Sequence, residues 1–404
     1  LLKACLPKKE LDNCKRIHAE ITRNGLLEKN ACVGSTLVNV YAKCGALSKA
    51  RDVFDQICVK DVVSWTALIS GYAKQGQGNE ALHCFDMMVH DGISPNSVTF
   101  LAILKACGSI GSLEKGEEMH GHVIKEGLLG KDILLGSAVV DMYTKCGAMS
   151  KAQEVFDQLP IQDVVCWNAL ISGYAQHGPG EEALSCFDRM QRQGVSPDVV
   201  TFVCILKACC SIRAFEKGKE IHAEILKEGL LEKHVLVGNA LVNMYTKCGE
   251  LAKAQEVFDG LPNLNIVSWN AFIAGYAQHG YGDEVLNHYI NMRNQGFCPD
   301  AVTFVCVLKA CGGLGKLEKG KEIHAEVIEH DCLGKNMFIA TGLVDMYAKC
   351  GEISKAQEVF DEFTIQEVVS CNALIAGCIQ YGHDENALQC FIRMQHEALF
   401  PDAY

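Results

Sequence analysis

The sequence repeats itself every 102 residues, and each copy divides into pieces of 35, 36 and 31 residues. Repetition at such periods is typical of a solenoid, in which each unit buries its apolar surface only by stacking on its neighbours. The pieces follow one another without a linker rich in proline or serine and without a block of like charges. The sequence therefore predicts one continuous array over residues 1–404 rather than two or three globular domains.

The pieces keep their order along the whole chain. Residues 1–30 are the tail of a 36-residue piece, and Ala403–Tyr404 begin another. The complete pieces of 35 residues are Val62–Asn96, Val164–Asp198, Ile266–Asp300 and Val368–Asp402. Those of 36 residues are Ser97–Asp132, Val199–His234 and Ala301–Asn336, and those of 31 residues are Ala31–Asp61, Ile133–Asp163, Val235–Asn265 and Met337–Glu367.

Apolar residues recur with helical spacing in each piece. In the piece that starts at residue 164, Trp167, Leu170, Ile171 and Tyr174 form the apolar stripe of one helix. Glycines end this helix, two glutamates favour the start of a second one, and a second apolar stripe runs to the next glycine. The same pattern fits every piece. The sequence therefore predicts an all-α protein with two antiparallel helices per piece, here called the first helix and the second helix.

The chain contains 22 cysteines, which in a short secreted protein would suggest disulfides. Here they recur with the repeats, as in the LKAC sequences of Cys107, Cys209 and Cys311, and no CxxC pair occurs. We therefore expect reduced cysteines that pack between helices, in a reducing compartment. The apolar runs are too short to span a membrane, and no targeting segment is readable at the N-terminus.

Two recurring side chains could in principle serve chemistry. Trp65, Trp167 and Trp269 could form a stacking platform, but they fall within the apolar stripe and the fourth copy has Cys371 instead, so we expect core packing. A histidine also recurs in the 36-residue pieces, and in three of the four copies it begins an HxE sequence, which is the first half of the zinc deaminase signature. With no CxxC to complete the site, we expect neither a metal nor a cofactor there; the histidines are His18, His120, His222 and His324.

The sequences VVCWNALISGYAQHG, VTFVCILKAC and ALVNMYTKCGELAKAQEVFD closely resemble pentatricopeptide repeats. The alternation of 35, 36 and 31 residues is similar to the plant PLS subclass of that family, so we name these pieces P, L and S repeats. The tetratricopeptide family, the nearest competitor, has a uniform period and a different pattern. The resemblance covers the whole chain and implies a right-handed α-solenoid superhelix of helix-turn-helix repeats.

The resemblance implies binding of single-stranded RNA in a mitochondrion or chloroplast, with about one base per repeat. In the family, the fifth and last residues of a repeat choose the base, and the second residue helps to sandwich it. The base-reading pairs would be Ser35 with Asp61, Thr66 with Asn96, Ser137 with Asp163, Asn168 with Asp198, Asn239 with Asn265, Asn270 with Asp300, Thr341 with Glu367, and Asn372 with Asp402. The sandwiching residues would be Val63, Val165, Val267 and Val369, and the phosphate contacts Lys43, Lys145, Lys247 and Lys349.

The family's code then predicts the RNA sequence. Threonine with asparagine implies adenine, asparagine with aspartate implies uracil, serine with aspartate implies guanine, and two asparagines imply cytosine or uracil. The L repeats have Leu101, Val203 and Val305 at the fifth position, and an aliphatic group cannot hydrogen-bond a base edge. Thr341 with Glu367 departs from the common pairs and implies a purine. The predicted target is 5′-G-A-n-G-U-n-(C/U)-U-n-R-U-3′.

Two properties of the sequence oppose this interpretation. Asparagine, serine and threonine also cap helices, and aspartate after proline often starts a turn, so the pairs could be structural. The net charge of −12 is unusual for a protein that contacts phosphates. The acids concentrate in the second helices, however, whereas the first helices contain recurring lysines. We therefore expect modest affinity with a strong dependence on salt.

The family's PLS arrays usually guide cytidine-to-uridine editing by a deaminase. This chain ends at the start of an L repeat and contains no deaminase signature, so we expect no enzymatic activity of its own. Partners would be the RNA and a deaminase or another editing factor. The alternative is a helical scaffold for protein–protein interaction, since solenoids commonly present grooves to peptides. A hydrolase or nuclease is disfavoured because the sequence has no group of acidic residues that is independent of the repeat pattern.

Overall fold

The computed structural model describes residues 11–25, 27, 31–57, 59–329, 336–362 and 368–396. Within these ranges the regular elements are all α-helices, and each complete repeat contains a first and a second helix joined by a short turn. The protein is therefore an all-α helical-repeat solenoid, as the sequence predicts. No helix of the described ranges is long and apolar enough to cross a membrane.

The helices fall into two compact units, Leu1–Ile212 and Arg213–Tyr404. In the earlier unit the first helices are Ala31–Lys43, Val62–Lys74, Ser97–Ile110, Ile133–Lys145, Val164–His177 and Val199–Ile212. The second helices of that unit are Leu11–Arg23, Leu47–Gln56, Gly78–His90, Leu113–Lys125, Met149–Gln158 and Gly180–Arg192.

The later unit has the same alternation. Its first helices are Val235–Lys247, Ile266–Gln278, Ala301–Leu314, Met337–Lys349 and Val368–Gln380. Its second helices are Phe215–Lys227, Leu251–Asp259, Gly282–Asn294, Leu317–Glu329, Ile353–Glu362 and Asp384–His396.

The first helices of each unit form a continuous layer, because each packs on the first helices of neighbouring repeats as well as on second helices. Glycines of the P repeats allow this close approach. A Cβ atom added to Gly173 would lie 2.5 Å from Thr144 Cβ, and one added to Gly275 would lie 2.4 Å from Thr246 Cβ. Both distances are shorter than real Cβ contacts, so any larger residue would push the neighbouring first helices apart.

The tryptophans of the P repeats lie in the core between the two layers. Trp65 and Trp167 are fully buried, and Trp269 is 2% exposed. Each ring packs edge-on against a phenylalanine of the preceding S repeat; for Phe156 and Trp167 the ring centres are 4.5 Å apart. The prediction of core packing is confirmed. Cys107, Cys209 and Cys311 are also fully buried with free thiols, which confirms their packing role.

The L-repeat histidines join the two layers. The imidazole Nδ1 of each lies within hydrogen-bonding distance of a tyrosine hydroxyl in the first helix of the following S repeat. The distances are 3.1 Å for His18 and Tyr41, 2.9 Å for His120 and Tyr143, 2.8 Å for His222 and Tyr245, and 2.9 Å for His324 and Tyr347. Burial lowers the pKa of all four imidazoles. These histidines therefore act as interhelical links.

Candidate nucleic-acid interface

The second residue of each first helix points an apolar side chain into solvent. Val63, Val165, Val267 and Val369 are between 49% and 60% exposed. The L and S repeats, for which the sequence analysis named no sandwiching residue, expose an apolar side chain at the same position. These residues are Val98, Leu134, Val200, Leu236, Val302 and Phe338, and the S repeat that starts at residue 31 has the exposed Cys32 there. A recurring row of exposed apolar side chains is typical of a contact surface. We call the surface formed by the first helices the first-helix face.

The fifth residues lie one turn further along the same helices and are much less exposed. Ser35, Thr66, Ser137, Asn168 and Asn239 are between 2% and 9% exposed. The equivalent residues Asn270, Thr341 and Asn372 are partly buried. A buried polar side chain needs hydrogen-bond partners, so the surroundings of these residues decide what they can do.

The last residues of the P and S repeats cap the first helix of the following repeat. In each described case the side-chain oxygen accepts a hydrogen bond from the backbone N–H of the third helical residue, at 2.8–3.1 Å. The capping residues are Asp61, Asn96, Asp163, Asp198, Asn265 and Asp300. The structural role considered in the sequence analysis is therefore real. It leaves part of each side chain available, because a carboxylate or amide oxygen accepts more than one hydrogen bond.

Among the pairs whose two members are described, three fifth residues contact the last residue of their own repeat directly. Ser35 Oγ donates to Asp61 Oδ1 at 3.0 Å. Asn168 Nδ2 donates to Asp198 Oδ1 at 2.9 Å. Asn270 donates to Asp300 in the same way, at 2.8 Å. The structure thus brings together three of the pairs that the sequence predicts.

Both polar atoms of the Asn168 side-chain amide form hydrogen bonds. Its Oδ1 accepts a hydrogen bond from Thr201 Oγ1 at 2.6 Å, and Thr201 Oγ1 also lies 3.0 Å from Asp198 Oδ1. An asparagine amide has two N–H groups and two oxygen lone pairs, so one of each remains for another partner. Burial raises the pKa of the Asp198 carboxyl, but hydrogen bonds from Thr201 and Asn168 outweigh it and leave the pKa below its usual value. Asp198 is therefore an ionised acceptor.

The other pairs are arranged differently. Thr66 reaches Asn96 only through Thr99, with Oγ1–Oγ1 and Oγ1–Oδ1 distances of 2.8 and 3.0 Å. Ser137 Oγ donates to the carbonyl of Ile133 at 2.9 Å and contacts the thiol of Cys166, the third helical residue of the next repeat.

In the S repeat that starts at residue 235, the fifth residue is Asn239. Both of its amide atoms are buried without a hydrogen-bond partner among the described residues. Asn265 instead accepts hydrogen bonds from the backbone N–H and the hydroxyl of Ser268. For the last two pairs, Glu367 and Asp402 lie outside the described residues.

The lysines at the ends of the S-repeat first helices differ in their neighbours. Lys145 Nζ forms an ion pair with Asp141 at 2.7 Å, and Lys349 forms the same pair with Asp345, also at 2.7 Å. Lys247 donates to the neutral side chain of Gln278 at 2.7 Å. In the repeat of Lys43, Asn39 stands where Asp141 stands in the next copy. The lysines are therefore not electrostatically equivalent.

An open groove on the first-helix face brings these features together. It has a volume of about 580 Å³ and is formed by the first helices of three successive repeats, S, P and L. Val63 and Val98 line it together with the polar pair Thr66 and Asn96. Lys43, Lys74 and Lys105 complete the lining with positive charge. Leu101, the fifth residue of the L repeat, also contacts the groove.

Family models match most of the chain. A model of the PPR repeat family matches residues 60–109, 162–211 and 264–313. A model of the PPR repeat matches residues 35–62, 137–161, 239–266, 302–332, 338–364 and 369–398.

Several proteins of Arabidopsis thaliana are similar in sequence. A chloroplastic pentatricopeptide repeat-containing protein is 37% identical over 404 residues, which are 100% of this chain and 65% of that protein. A second chloroplastic one is 36% identical over 403 residues, 100% of this chain and 49% of that protein. A mitochondrial one is 34% identical over 394 residues, 97% of this chain and 56% of that protein. The chain thus spans 49% to 65% of the length of these relatives.

Solved structures share the fold. PPR10 in complex with an 18-nt psaJ RNA element superposes with a TM-score of 0.75 at 18% identity, covering 93% of this chain and 56% of PPR10. Yeast Rmd9p in complex with a 16-nt target RNA has a TM-score of 0.51 at 11% identity, covering 99% of this chain and 95% of Rmd9p. With the repeat models matching along both units, the chain is a member of the pentatricopeptide repeat family.

Proposed function

We propose that this chain binds single-stranded RNA along its first-helix face. The groove of Val63, Thr66, Asn96 and Val98 supports this proposal best, because apolar, hydrogen-bonding and positively charged side chains line one space there. Exposed valines can pack on the two faces of a base, and a threonine–asparagine pair can hydrogen-bond its edge. PPR10 and Rmd9p, which share the fold, were both solved with bound RNA.

Each repeat would take about one base. In the groove, Val63 and Val98 belong to consecutive repeats, and both line the same space as the Thr66–Asn96 pair. A base inserted there would stack between two valines and place its edge against the pair. The lysines of the groove would then contact the flanking phosphates, which is the main source of affinity and of its dependence on salt.

Repeats of different length would have different roles in RNA recognition, as in the PLS subclass. P and S repeats have hydrogen-bonding fifth residues, whereas the L-repeat residue in the groove is Leu101. A leucine side chain has no donor or acceptor, so the L repeats would mainly maintain the spacing between bases that are read. The target would then be 5′-G-A-n-G-U-n-(C/U)-U-n-R-U-3′, read from the N-terminal to the C-terminal repeats.

The biological role would be guidance of organellar RNA processing, such as cytidine-to-uridine editing. Of the three relatives described above, two are chloroplastic and one is mitochondrial, which supports an organellar location. A deaminase or another editing factor would supply the chemistry, and this chain the position on the RNA.

Binding to the predicted 11-mer and to a scrambled 11-mer of the same composition, over a series of salt concentrations, tests the proposal. We expect at least about tenfold tighter binding of the predicted sequence, equivalent to ~1.4 kcal/mol. Affinity for both should fall as salt rises. Absence of binding at low salt would rule out the RNA function, whereas equal affinity for the two RNAs would rule out the code.

A single substitution tests base reading more directly. Thr66→Asn should shift the preferred second base from adenine towards cytosine, because it turns the pair with Asn96 into two asparagines. Thr22→Asn, on an exposed part of a second helix, makes the same chemical change away from the groove and should leave base preference unchanged. If Thr66→Asn weakens binding of all four base variants equally, Thr66 is only structural.

A further inference from the structure

On the surface formed by the second helices, here called the second-helix face, cations lie over aromatic rings that are buried beneath them. The guanidinium of Arg189 is 5.5 Å from the ring centre of Phe156 and 5.3 Å from that of Trp167. Two copies later, Arg393 lies 5.5 Å from the ring centre of Phe360. The two arginines occupy equivalent positions of their P repeats, so this is a recurring arrangement.

Each arginine also pairs with the aspartate that follows the phenylalanine. Arg189 Nη2 lies 2.5 Å from Asp157 Oδ1, and Arg393 pairs with Asp361. A glutamine one turn earlier orients each carboxylate, as Gln153 Nε2 does by donating to Asp157 Oδ2 at 2.8 Å. The site for each guanidinium thus consists of the aromatic side of the contact and an aspartate carboxylate that a glutamine orients.

In the first copy, where Met87 stands at the arginine position, other cations fill the equivalent place. Arg51 lies 5.9 Å and Lys60 lies 5.1 Å from the ring centre of Phe54. Arg51 also pairs with Asp55 at 3.2 Å. The combination of a cation, an aromatic ring and an aspartate is therefore retained in this copy, although the cation comes from other positions of the chain.

The third copy differs, because Asn291 stands where Arg189 and Arg393 stand in theirs. A cavity of about 390 Å³ opens there, and Phe258, Asp259 and Trp269 are among its lining residues. Among the described residues, none that lines it is a lysine or an arginine.

The rest of the site is preserved in the third copy. Gln255 Nε2 lies 2.8 Å from Asp259 Oδ1 and 2.9 Å from Oδ2, which orients the carboxylate as in the second copy. Phe258 and Trp269 pack edge-on with ring centres 4.8 Å apart. The aromatic rings and the Asp259 carboxylate are therefore arranged as in the second copy, but Asn291 replaces the arginine that contacts them there.

Two cations on the second helices that carry Asp259 and Asn291 are engaged in other contacts. Arg293 forms an ion pair with Glu326 at 2.5 Å, and Lys253 lies 5.2 Å from the ring centre of Phe215. His288 also lines the cavity, and burial lowers the pKa of its imidazole, which favours the neutral form at neutral pH. None of these groups supplies a cation to Asp259.

We propose that the cavity beside Phe258 and Asp259 binds the guanidinium group of an arginine presented by a partner protein. A guanidinium matches a carboxylate in two parallel hydrogen bonds and stacks on aromatic rings, which an ammonium does less well. The exposed amides of Asn291, Asn294 and Gln295 line the same cavity and can hydrogen-bond the peptide groups that flank such an arginine. The site lies away from the first-helix face and does not depend on RNA binding.

Titration of the protein with N-acetyl-arginine amide tests the site, with N-acetyl-lysine amide as the control ligand. The readout is the NMR signal of the three tryptophan indoles, of which Trp269 is in the cavity. We expect saturable movement of the Trp269 signal with a dissociation constant on the order of 1 mM, and several-fold weaker binding of the lysine derivative.

Three variants make the test specific. Asn291→Arg should fill the cavity from within and abolish binding, and Asp259→Asn should weaken it by at least about tenfold. Arg189→Asn should open a second site, reported by Trp167. If the ligand moves the Trp269 signal equally in the wild type and in Asn291→Arg, or if no saturable change occurs up to about 20 mM, the proposal is wrong.

Discussion

The two faces of the repeats use polar side chains in different ways. On the first-helix face, Asp198 accepts hydrogen bonds from the backbone N–H of Thr201 and from Asn168, a largely buried side chain, and its Oδ1 lies 3.0 Å from the Thr201 hydroxyl. On the second-helix face, Lys319 pairs with Glu322 at 2.6 Å, and their side chains are 30% and 62% exposed. The first-helix face has shared networks around its helix caps, whereas the second-helix face includes ion pairs that are largely exposed to solvent.

This difference explains how an acidic chain can present a basic groove. Exposed ion pairs contribute only about 0–1 kcal/mol each, so the second helices can vary their charges at little cost in stability. The acids concentrate there, while lysines line the groove of the first-helix face. The net charge of −12 therefore says little about the surface that we propose contacts RNA.

The largest effect should come from removing a cap on the first-helix face. Asp198→Ala removes the hydrogen-bond acceptor that caps the first turn of the next helix. The backbone N–H of Thr201 and the side-chain amide of Asn168 then each lose a hydrogen bond. We expect a loss of ~2 kcal/mol in the free energy of unfolding, measured by urea denaturation. Asp86→Ala, which removes the exposed partner of Lys115, is the matched control and should cost less than ~0.5 kcal/mol. Equal losses would contradict the distinction between the faces.

A smaller effect concerns the lysines of the proposed RNA surface. Lys43→Ala should weaken RNA binding about fivefold and reduce the slope of log affinity against log salt by about one contact. Lys145→Ala should change both less, because Asp141 already neutralises that lysine. Conversely, Asp141→Asn should strengthen binding and steepen the slope. Identical effects of the two alanine substitutions, measured by fluorescence anisotropy, would show that the internal ion pair does not matter.

The histidine–tyrosine links between the layers predict a dependence of stability on pH. Burial lowers the pKa of His222 below the ordinary value of 6.5, so the unfolded chain binds protons first as the pH falls. Stability from this source is complete above about pH 6.5 and is lost as the pH falls towards the lowered pKa of the folded state. We expect the melting temperature to fall between about pH 7.5 and pH 5.5, and less so in His222→Gln.

His177→Gln, at an exposed position, is the control for that experiment. It should leave the pH dependence of the melting temperature unchanged. A wild-type melting temperature that is flat or rises over this interval would contradict the role assigned to the buried imidazoles.

Much of this organisation follows from the sequence, because the repeat register fixes the helix spacing. The same register places Asp198 and Asn265 immediately before a first helix, where a side-chain oxygen can cap it. The exposed residues Leu134 and Val200 could have been recognised as well, since they share the second position of Val63. The prediction from the resemblance covers this position in the P repeats only.

The hydrogen bonds between fifth and last residues could not be read from those two positions alone. They depend on the third residue of the next helix, which competes for the same oxygen. Thr201 bridges Asp198 and Asn168, whereas Cys166 contacts Ser137 through a thiol and leaves Asp163 apart from it. Such choices depend on rotamers and on small distances, to which repeat spacing is insensitive.

The smallest effect should come from an exposed pair on the second-helix face. Lys319→Ala removes the partner of Glu322, and solvent screening makes the expected cost less than ~0.5 kcal/mol. The salt dependence of RNA binding should also remain unchanged, because this lysine lies in a second helix. Both quantities can be measured on the same preparation, by urea denaturation and by anisotropy. A reduced salt slope in this variant would mean that RNA contacts extend to the second-helix face, and the division between the faces would then fail.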